Sequence, residues 1–236
     1  MSLISKIKRR LRGAICRLRG VDQFALIPCE PRPDLTRLGG ECAWVVPIAL
    51  LSHGTVCYCV GAGEDISFDL ALTESLGCEV HTFDPTPRAI EYVNSLRPVL
   101  PLNLTFHPWG LWDRDERMRF YAPQEPHHVS HSILNLQKSD SYFNGECKTL
   151  RAIMGELGHT TLGLLKLYIE GAEYKVIESL LADGIHPRIL AIECDEIHSP
   201  LDAGADARIA GMIKRLVCAG YRLVVVDGPN YTLVKD

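Results

Sequence analysis

The feature that most constrains this chain is the stretch of residues 55–85, TVCYCVGAGEDISFDLALTESLGCEVHTFDP. It opens at residues 55–60 with an uncharged, β-prone run of the kind expected for a strand buried on both faces. A Gly-Ala-Gly turn follows at residues 61–63, where glycine permits a tight bend and close approach of a ligand to the backbone. Residues 64–76 show helical periodicity and end at a glycine. The order strand, glycine turn, helix predicts the start of a nucleotide-binding βαβ unit.

The acid that follows the next predicted strand suggests which ligand this unit binds. Residues 79–83 predict that strand, and it ends at Asp84, which lies 21 residues after Gly63. A carboxylate about 20 residues beyond the glycines accepts hydrogen bonds from ribose hydroxyls, and N–H groups at a helix N-terminus favour an anionic part of the ligand. Ile66 stands where the dinucleotide fingerprint has its third glycine or alanine. The stretch therefore favours an adenosyl ligand other than a nicotinamide or flavin dinucleotide.

The charge of the chain is unevenly distributed. The 236 residues are 47% hydrophobic with a net charge of −4, which is typical of one globular domain with an N-terminal extension. Residues 1–20 carry seven basic residues and no acid, so the remainder has a formal charge of −11. Apolar residues at helical spacing predict a basic amphipathic helix there, which could dock on its own acidic domain or a sister subunit of a homo-oligomer, or lie peripherally on an anionic membrane surface. Nucleic acid is not an expected partner, because the body is acidic and aromatic residues are few.

The cysteines and the hydropathy pattern bear on the compartment. The nine cysteines are odd in number, scattered, and without a Cys-x-x-Cys pair. This pattern is typical of buried, reduced thiols in a cytosolic protein. No apolar run is long enough to span a membrane, and the basic N-terminus lacks the apolar core of a secretory signal. We therefore expect a cytoplasmic protein.

Strands and helices alternate through the rest of the chain. Residues 21–54 are rich in proline and glycine and predict a connecting segment of irregular pieces, so the predicted domain spans residues 55–236. Predicted helices cover residues 85–96, 149–157, 171–181 and 205–219. Predicted strands cover residues 102–106, 164–169, 188–193, 221–226 and 231–234, with an edge strand at 118–121 and a polar loop over 122–147.

The last two strands distinguish between two kinds of α/β sheet. A four-residue turn, 227–230, joins them, so they must form an antiparallel hairpin. The other alternating elements predict a mostly parallel sheet with helices on both faces. A seven-stranded Rossmann-like sheet with a C-terminal antiparallel hairpin is the class I methyltransferase fold, and the two-halved dinucleotide fold lacks that hairpin.

Four motifs in order resemble one known family. VGAGEDISFDLA, VHTFDPTP, HPWGLWD and LLKLYIEGAEYKVIESL are similar to successive motifs of the FkbM-type S-adenosylmethionine-dependent methyltransferases. The resemblance covers roughly residues 55–195, and residues 166–173 are its most specific part. It implies S-adenosyl-L-methionine as the cofactor and transfer of a methyl group to a hydroxyl of a glycan or small-molecule acceptor.

The resemblance also implies roles for individual residues. The cofactor-binding residues would be Gly61, Gly63, Asp65, Ser67, Asp84, Thr86, Gly110, Leu111 and Trp112. Glu170 would face the methyl group and the acceptor. An alcohol acceptor needs its proton removed, and Glu170 and His131 are the expected catalytic residues, with Tyr168 and Asp195 as alternatives. No metal site is expected, because the histidines at 127, 128 and 131 are typical of an exposed loop.

Two departures from the family pattern motivate an alternative. Family members often have an acid at the positions of Cys59 and Tyr168. The chain could therefore be a catalytically inert methyltransferase-fold module that binds the cofactor or a partner without turnover. A nicotinamide-dependent oxidoreductase is disfavoured by Ile66 and by the predicted C-terminal hairpin.

Overall fold

The computed structural model describes residues 11–16, 18–123, 131–135 and 138–236. Its strands are β1 (Leu35–Leu38), β2 (Trp44–Pro47), β3 (Val56–Val60), β4 (Glu79–Phe83), β5 (Leu104–His107), β6 (Gly110–Leu111), β7 (Glu116–Tyr121), β8 (Tyr142–Lys148), β9 (Leu164–Leu167), β10 (Ile189–Glu193), β11 (Arg222–Asp227) and β12 (Asn230–Val234). Its main helices are α1 (Ser67–Leu76), α2 (Pro87–Leu96), α3 (Leu150–Leu157), α4 (Glu173–Ala182) and α5 (Ala205–Cys218).

A seven-stranded sheet forms the centre of the fold. Its strand order is β11-β12-β10-β9-β3-β4-β5. Neighbouring strands from β10 through β5 are parallel, whereas β12 is antiparallel to both β10 and β11. The predicted mostly parallel sheet with a C-terminal antiparallel hairpin is confirmed. The turn between β11 and β12 is two residues shorter than predicted, because Asp227 and Asn230 already pair with each other.

Helix ends lie where the sequence supplies capping residues. Gly77, in the left-handed conformation, ends α1, and Gly158 ends α3 in the same way. Thr86 and Thr149 are the N-caps of α2 and α3, and each side-chain oxygen accepts a bond from the backbone N–H three residues on. Such caps satisfy N–H and C=O groups that have no partner within the helix.

Hydrophobic side chains bury both faces of the large sheet. On one face, α3, α4 and α5 pack against β3, β9 and β10. The other face is covered by α1 together with the segment that precedes β3. Ile66 is fully buried and packs with Ala62, Ala89 and Val93 between the glycine turn and α2.

The segment of residues 21–54 is more ordered than the sequence predicted. It contains β1 and β2, which pair antiparallel, and it buries Trp44, Val46 and Leu51 against the large sheet. The hydroxyl of Tyr231 donates to the buried Asp22 carboxylate over 2.9 Å. The predicted connecting segment is thus a covering layer of the fold, because it buries large apolar side chains such as Trp44 against the sheet.

A second, smaller sheet was only partly predicted. Strands β6, β8 and β7 form it, with β8 in the centre. The strand β7 confirms the predicted edge strand, but β8 lies mostly in the stretch predicted as a loop, and that prediction was wrong for residues 142–147. Three of its seven residues, Tyr142, Asn144 and Glu146, are exposed, so pairing with β7 outweighs a weak local preference.

The N-terminal helix is described only in part. Residues 11–16 are helical, with Leu11 and Ile15 exposed, and residues 1–10 lie outside the described part of the chain. All nine cysteines are free thiols, and six of them are buried. Across the described residues, each helix is too short or too polar to cross a bilayer.

Candidate functional site

A cavity of about 250 Å³ lies at the carboxyl ends of β3, β4 and β9. Open α/β sheets bind their ligands at this edge. The lining includes seven of the nine residues predicted to bind a cofactor, namely Gly61, Gly63, Asp65, Asp84, Thr86, Gly110 and Leu111, together with both predicted catalytic residues, His131 and Glu170. Ser67 and Trp112 do not line it.

The glycine turn crosses the end of β9 at very close range. Gly61 has a φ of +90°, and a Cβ built there would lie 2.0 Å from the backbone oxygen of Tyr168. Below the turn, the Lys166 ammonium donates to the Gly61 carbonyl over 3.0 Å. That ammonium lies 3.8 Å from the Asp69 carboxylate, and both side chains are almost fully buried. Glycine at position 61 and a buried ion pair thus fix the floor of the cavity.

Asp84 holds the glycine turn from the neighbouring strand. Its Oδ2 accepts bonds from the N–H groups of Ala62 and Gly63, both at 2.9 Å, and its Oδ1 accepts from the N–H of Thr86 at 2.8 Å. A carboxylate has about four acceptor sites, so Asp84 retains capacity for a hydroxyl in the cavity that it lines.

Asp65 and Ser67 join the turn to the loop between β1 and β2. The Asp65 carboxylate accepts bonds from the N–H groups of Ser67 at 2.8 Å and Cys42 at 3.0 Å. The Ser67 hydroxyl accepts from the N–H of Gly40 at 2.6 Å, which explains why Ser67 faces away from the cavity. Glu41 and Cys42 line the cavity as a result. Sequence reasoning missed both, since nothing in their local pattern marks a site.

The small sheet supplies part of the cavity wall through Gly110, Leu111 and Phe120. A Cβ at Gly110 would lie 2.8 Å from the Cys147 sulfur and 2.9 Å from the Phe120 ring. Phe120 lines the cavity beside Leu111. Trp112 instead packs into a buried cluster with Phe120 and Cys147. The wall is therefore apolar and tightly packed, as suits the face of a purine.

The residue expected to face the acceptor lies in a strained turn. Glu170 has a φ of +54°, which non-glycine residues rarely adopt and which costs about 1–3 kcal/mol. The buried Glu173 holds this turn, because its Oε1 accepts bonds from the N–H groups of Ile169 at 3.2 Å and Gly171 at 3.3 Å. The Ser132 hydroxyl donates to the Glu170 carbonyl over 2.7 Å. The surrounding structure thus imposes the position of Glu170 at the cavity.

Burial shifts the pKa values of the groups behind this turn. Burial, with Glu193 and Glu170 nearby, raises the pKa of Tyr168, so its phenol stays protonated and can donate a hydrogen bond. Burial and the charge of Glu170 raise the pKa of Glu193 to about 7. Burial also raises the pKa of Glu173 to about 8.

Asp195 belongs to this acidic group but does not line the cavity. Burial and the neighbouring Glu173 carboxyl raise the pKa of Asp195 well above its usual value. Glu173 Oε2 and Asp195 Oδ2 have no hydrogen-bond partner among the described residues. A proton on one of these two carboxyl groups would allow it to donate to the other.

His131 is the described member of the loop histidines; His127 and His128 lie outside the described residues. Its ring makes an edge-on contact with Phe143 at 5.2 Å between centroids and lines the cavity beside Ile133. Tyr168, Glu170 and His131 thus line the same cavity as Asp84 and the glycine turn.

Three comparisons place this geometry among known proteins. A model of the methyltransferase FkbM domain matches residues 54–223. The probable methyltransferase-like protein 24 of Homo sapiens is 28% identical over 133 residues, which is 56% of this chain and 30% of that protein. Its Rattus norvegicus counterpart is 29% identical over the same shares. This chain thus spans about a third of the length of these relatives.

Solved structures with similar folds are more distant. Precorrin-6y C5,15-methyltransferase from Geobacter metallireducens has a TM-score of 0.43 at 11% identity, covering 78% of this chain and 83% of that one. M. jannaschii TYW2, solved in complex with AdoMet, has a TM-score of 0.34 at 11% identity, covering 88% and 86%.

Proposed function

Because this chain belongs to the family of methyltransferase FkbM domains, we propose that it transfers the methyl group of S-adenosylmethionine to a hydroxyl oxygen of a glycan or small-molecule acceptor. The family match supports methyl transfer, and the choice of a hydroxyl acceptor is our inference from the site. The observation that carries the proposal is one cavity lined by two chemically different sets of residues. One set is Asp84 with the glycine turn, and the other is Tyr168, Glu170 and His131.

The set formed by Asp84 and the glycine turn, with the apolar wall beside it, has the features that an adenosyl group requires. Asp84 offers its remaining carboxylate acceptor site to a ribose hydroxyl. Gly61, Ala62 and Gly63 present little side chain to the cavity that they line, and the apolar wall around Leu111 and Phe120 can pack against adenine. When bound, S-adenosylmethionine supplies a methyl group on a sulfonium, and the acceptor oxygen bonds to this carbon as the carbon–sulfur bond breaks and its electron pair remains on the neutral thioether.

An alcohol acceptor requires the groups that Tyr168, Glu170 and His131 supply. The protonated Tyr168 phenol can donate a hydrogen bond and so position the acceptor oxygen. Glu170 or His131 accepts the hydroxyl proton as the new bond forms. The strained turn at Glu170 fixes this carboxylate in advance, so alignment costs little when the substrates bind.

The matched family is one of methyltransferases, so the alternative of an inert binding module is not favoured. A nicotinamide-dependent oxidoreductase is not favoured either, because Ile66 fills the space of the third fingerprint glycine and β12 is antiparallel within the sheet.

Calorimetry with S-adenosylhomocysteine, the methyl-transfer product, tests the donor side. We expect saturable binding by the unaltered protein and binding at least about tenfold weaker in Asp84→Asn, since one lost charged hydrogen bond is worth about 1.5–3 kcal/mol. The control is Asp140→Asn, which changes an exposed acid and should bind normally. Absence of binding by the folded, unaltered protein would contradict the proposal.

Incubation with S-adenosylmethionine carrying a labelled methyl group tests the acceptor side. Sugars, glycolipids and small hydroxylated compounds are offered, and the labelled product is cleaved to locate the methyl group. We expect the label on oxygen. A label on nitrogen or carbon would leave the methyltransferase assignment intact and overturn the hydroxyl acceptor.

A further inference from the structure

A second group of side chains lies at the opposite end of β4 from the cavity. Glu79 is the first residue of β4, and His81 follows it on the same face. Asp84 is five residues beyond Glu79, about 16 Å away at the usual rise of a strand. His159 joins the group from the residue after the C-cap of α3, where its N–H donates to the Met154 carbonyl. Two separate elements therefore deliver three metal-ligating side chains to one place.

Two of the three distances within this group are close to those around a tetrahedral zinc ion. Glu79 Oε1 lies 3.2 Å from His81 Nε2 and 3.4 Å from His159 Nε2, and the three atoms all lie within 4.8 Å of one another. Zinc bonds to nitrogen and oxygen of about 2.0–2.2 Å place the ligand atoms of a tetrahedral site about 3.3–3.6 Å apart. We propose that Glu79, His81 and His159 bind a divalent transition-metal ion, Zn²⁺ in the first place.

Each imidazole is also held through its second ring nitrogen. The Tyr58 hydroxyl lies 2.7 Å from His159 Nδ1, and His107 Nε2 lies 3.0 Å from His81 Nδ1. In metal sites, a partner of this kind fixes the tautomer that leaves the other nitrogen free to bind the ion. A partner behind each of the two histidines is expected of a metal site and is not required of two histidines that only contact a surface glutamate.

The burial of the three side chains suits a site that an ion can enter. The His81 side chain is 9% exposed, His159 is 14% exposed, and Glu79 is 47% exposed and faces solvent. Three protein ligands leave a fourth position open to water, as in zinc sites with two histidines and one glutamate. Imidazole nitrogen favours zinc and other late transition metals over Mg²⁺ and Ca²⁺, which prefer oxygen ligands.

The bound ion would join two parts of the fold. It would tie the beginning of β4 to the segment between α3 and β9, on the face where His81, His107 and Trp109 lie in a row of aromatic rings. The proposed metal site is separate from the cofactor cavity. Zinc binding can therefore be tested whether or not the proposed methyl transfer is correct.

The test uses the full chain without a polyhistidine tag, freed of metal with a chelator and titrated with ZnCl₂ by calorimetry. We expect one ion per chain. Glu79→Gln and His159→Asn should each abolish binding or weaken it by more than about a hundredfold, and Tyr58→Phe should weaken it about 10–100-fold. The control is His198→Asn, which alters an exposed histidine outside the group and should bind as the unaltered protein does.

The visible absorbance of Co²⁺ gives a second readout, which reports the coordination of the bound ion and not its affinity. Co²⁺ in a four-coordinate site of this kind absorbs visible light strongly, and we expect those bands in the unaltered protein and their loss in Glu79→Gln. This variant changes a half-exposed side chain, so its fold should survive, and circular dichroism would verify that. Zinc binding that Glu79→Gln and His159→Asn leave unchanged, or no binding by the folded protein, would overturn the proposal.

Discussion

At the residue scale, Glu173 shows how a buried carboxyl group can hold a neighbouring residue in place. One of its oxygens holds the strained turn of Glu170, and the other faces Asp195. Burial raises its pKa to about 8 from an ordinary 4.5, so it is protonated in the folded chain near neutral pH and ionised in the unfolded chain. Its stabilising contribution is therefore complete below about pH 4.5 and is lost as the pH rises toward 8.

Replacement Glu173→Gln should remove this pH dependence. Glutamine retains an oxygen for the N–H groups of Ile169 and Gly171, and its NH₂ can donate to Asp195. We expect the free energy of unfolding of the variant to rise relative to the unaltered protein by at least about 1 kcal/mol between pH 5 and pH 8. Urea unfolding at several pH values measures this. Glu178→Gln, an exposed position on the same helix, should show no such trend; an identical profile for all three proteins would refute the role of Glu173.

The sequence predicted some of these residues as part of the site but did not predict their contacts. The spacing from the glycines placed Asp84 at the cavity edge, because strand length and helix length fix that distance along the chain. The glycine-turn bonds of Asp84 and the support that Glu173 gives Glu170 depend on how separate segments meet. Glu173 in particular stands in the first turn of α4, where a glutamate is ordinary and exposed in most helices.

At the element scale, the contact between the glycine turn and the end of β9 determines the shape of the site. Gly61 lies against the Tyr168 carbonyl from one side, and Lys166 reaches the turn from below. Because β3 and β9 are neighbours in the sheet, any added atom at Gly61 must push their ends apart.

Gly61→Ala should therefore damage both stability and binding. The new Cβ would lie 2.0 Å from a backbone oxygen at a φ of +90°, so we expect a loss of at least about 1–3 kcal/mol in unfolding free energy and much weaker binding of S-adenosylhomocysteine. Gly155→Ala is the matched control. It lies inside α3 with open space around it, and alanine there should stabilise the protein by about 0.5–1 kcal/mol. Normal binding by Gly61→Ala would contradict the close approach.

The elements themselves were predictable to different degrees. Strands of the large sheet and their helices follow from apolar runs, caps and glycine stops, which are local signals. Strand β8 has no such signal, since its exposed polar positions resemble a loop. The pairing of β6 with β8, which closes the cavity wall near Gly110, is a tertiary event that no local pattern encodes.

At the scale of the whole molecule, the segment before β3 is part of the folded body. Trp44, Val46 and Leu51 are buried, and the Thr232 hydroxyl of β12 donates to the Val45 carbonyl over 2.7 Å. Burial of each such side chain is worth about 1.5–3 kcal/mol, against a total stability of about 5–15 kcal/mol for a domain.

A chain shortened to residues 55–236 should therefore fail to unfold cooperatively or should melt far below the full chain. The comparison is residues 21–236, which retain the buried side chains of this segment and should give a sharp transition. Scanning calorimetry distinguishes the two. A shortened chain with an unchanged melting temperature would show that residues 55–236 are an independent domain, as the sequence alone suggested.

The loop between β1 and β2 has a consequence for how such proteins diverge. Its residues Glu41 and Cys42 border the cavity, yet they lie upstream of residues 54–223, the part that the family model matches. The other residues that line the cavity all lie within the matched stretch, whereas these two come from the chain before it. Substitutions at Glu41 and Cys42 could therefore alter which molecules fit the cavity without any change in the matched stretch.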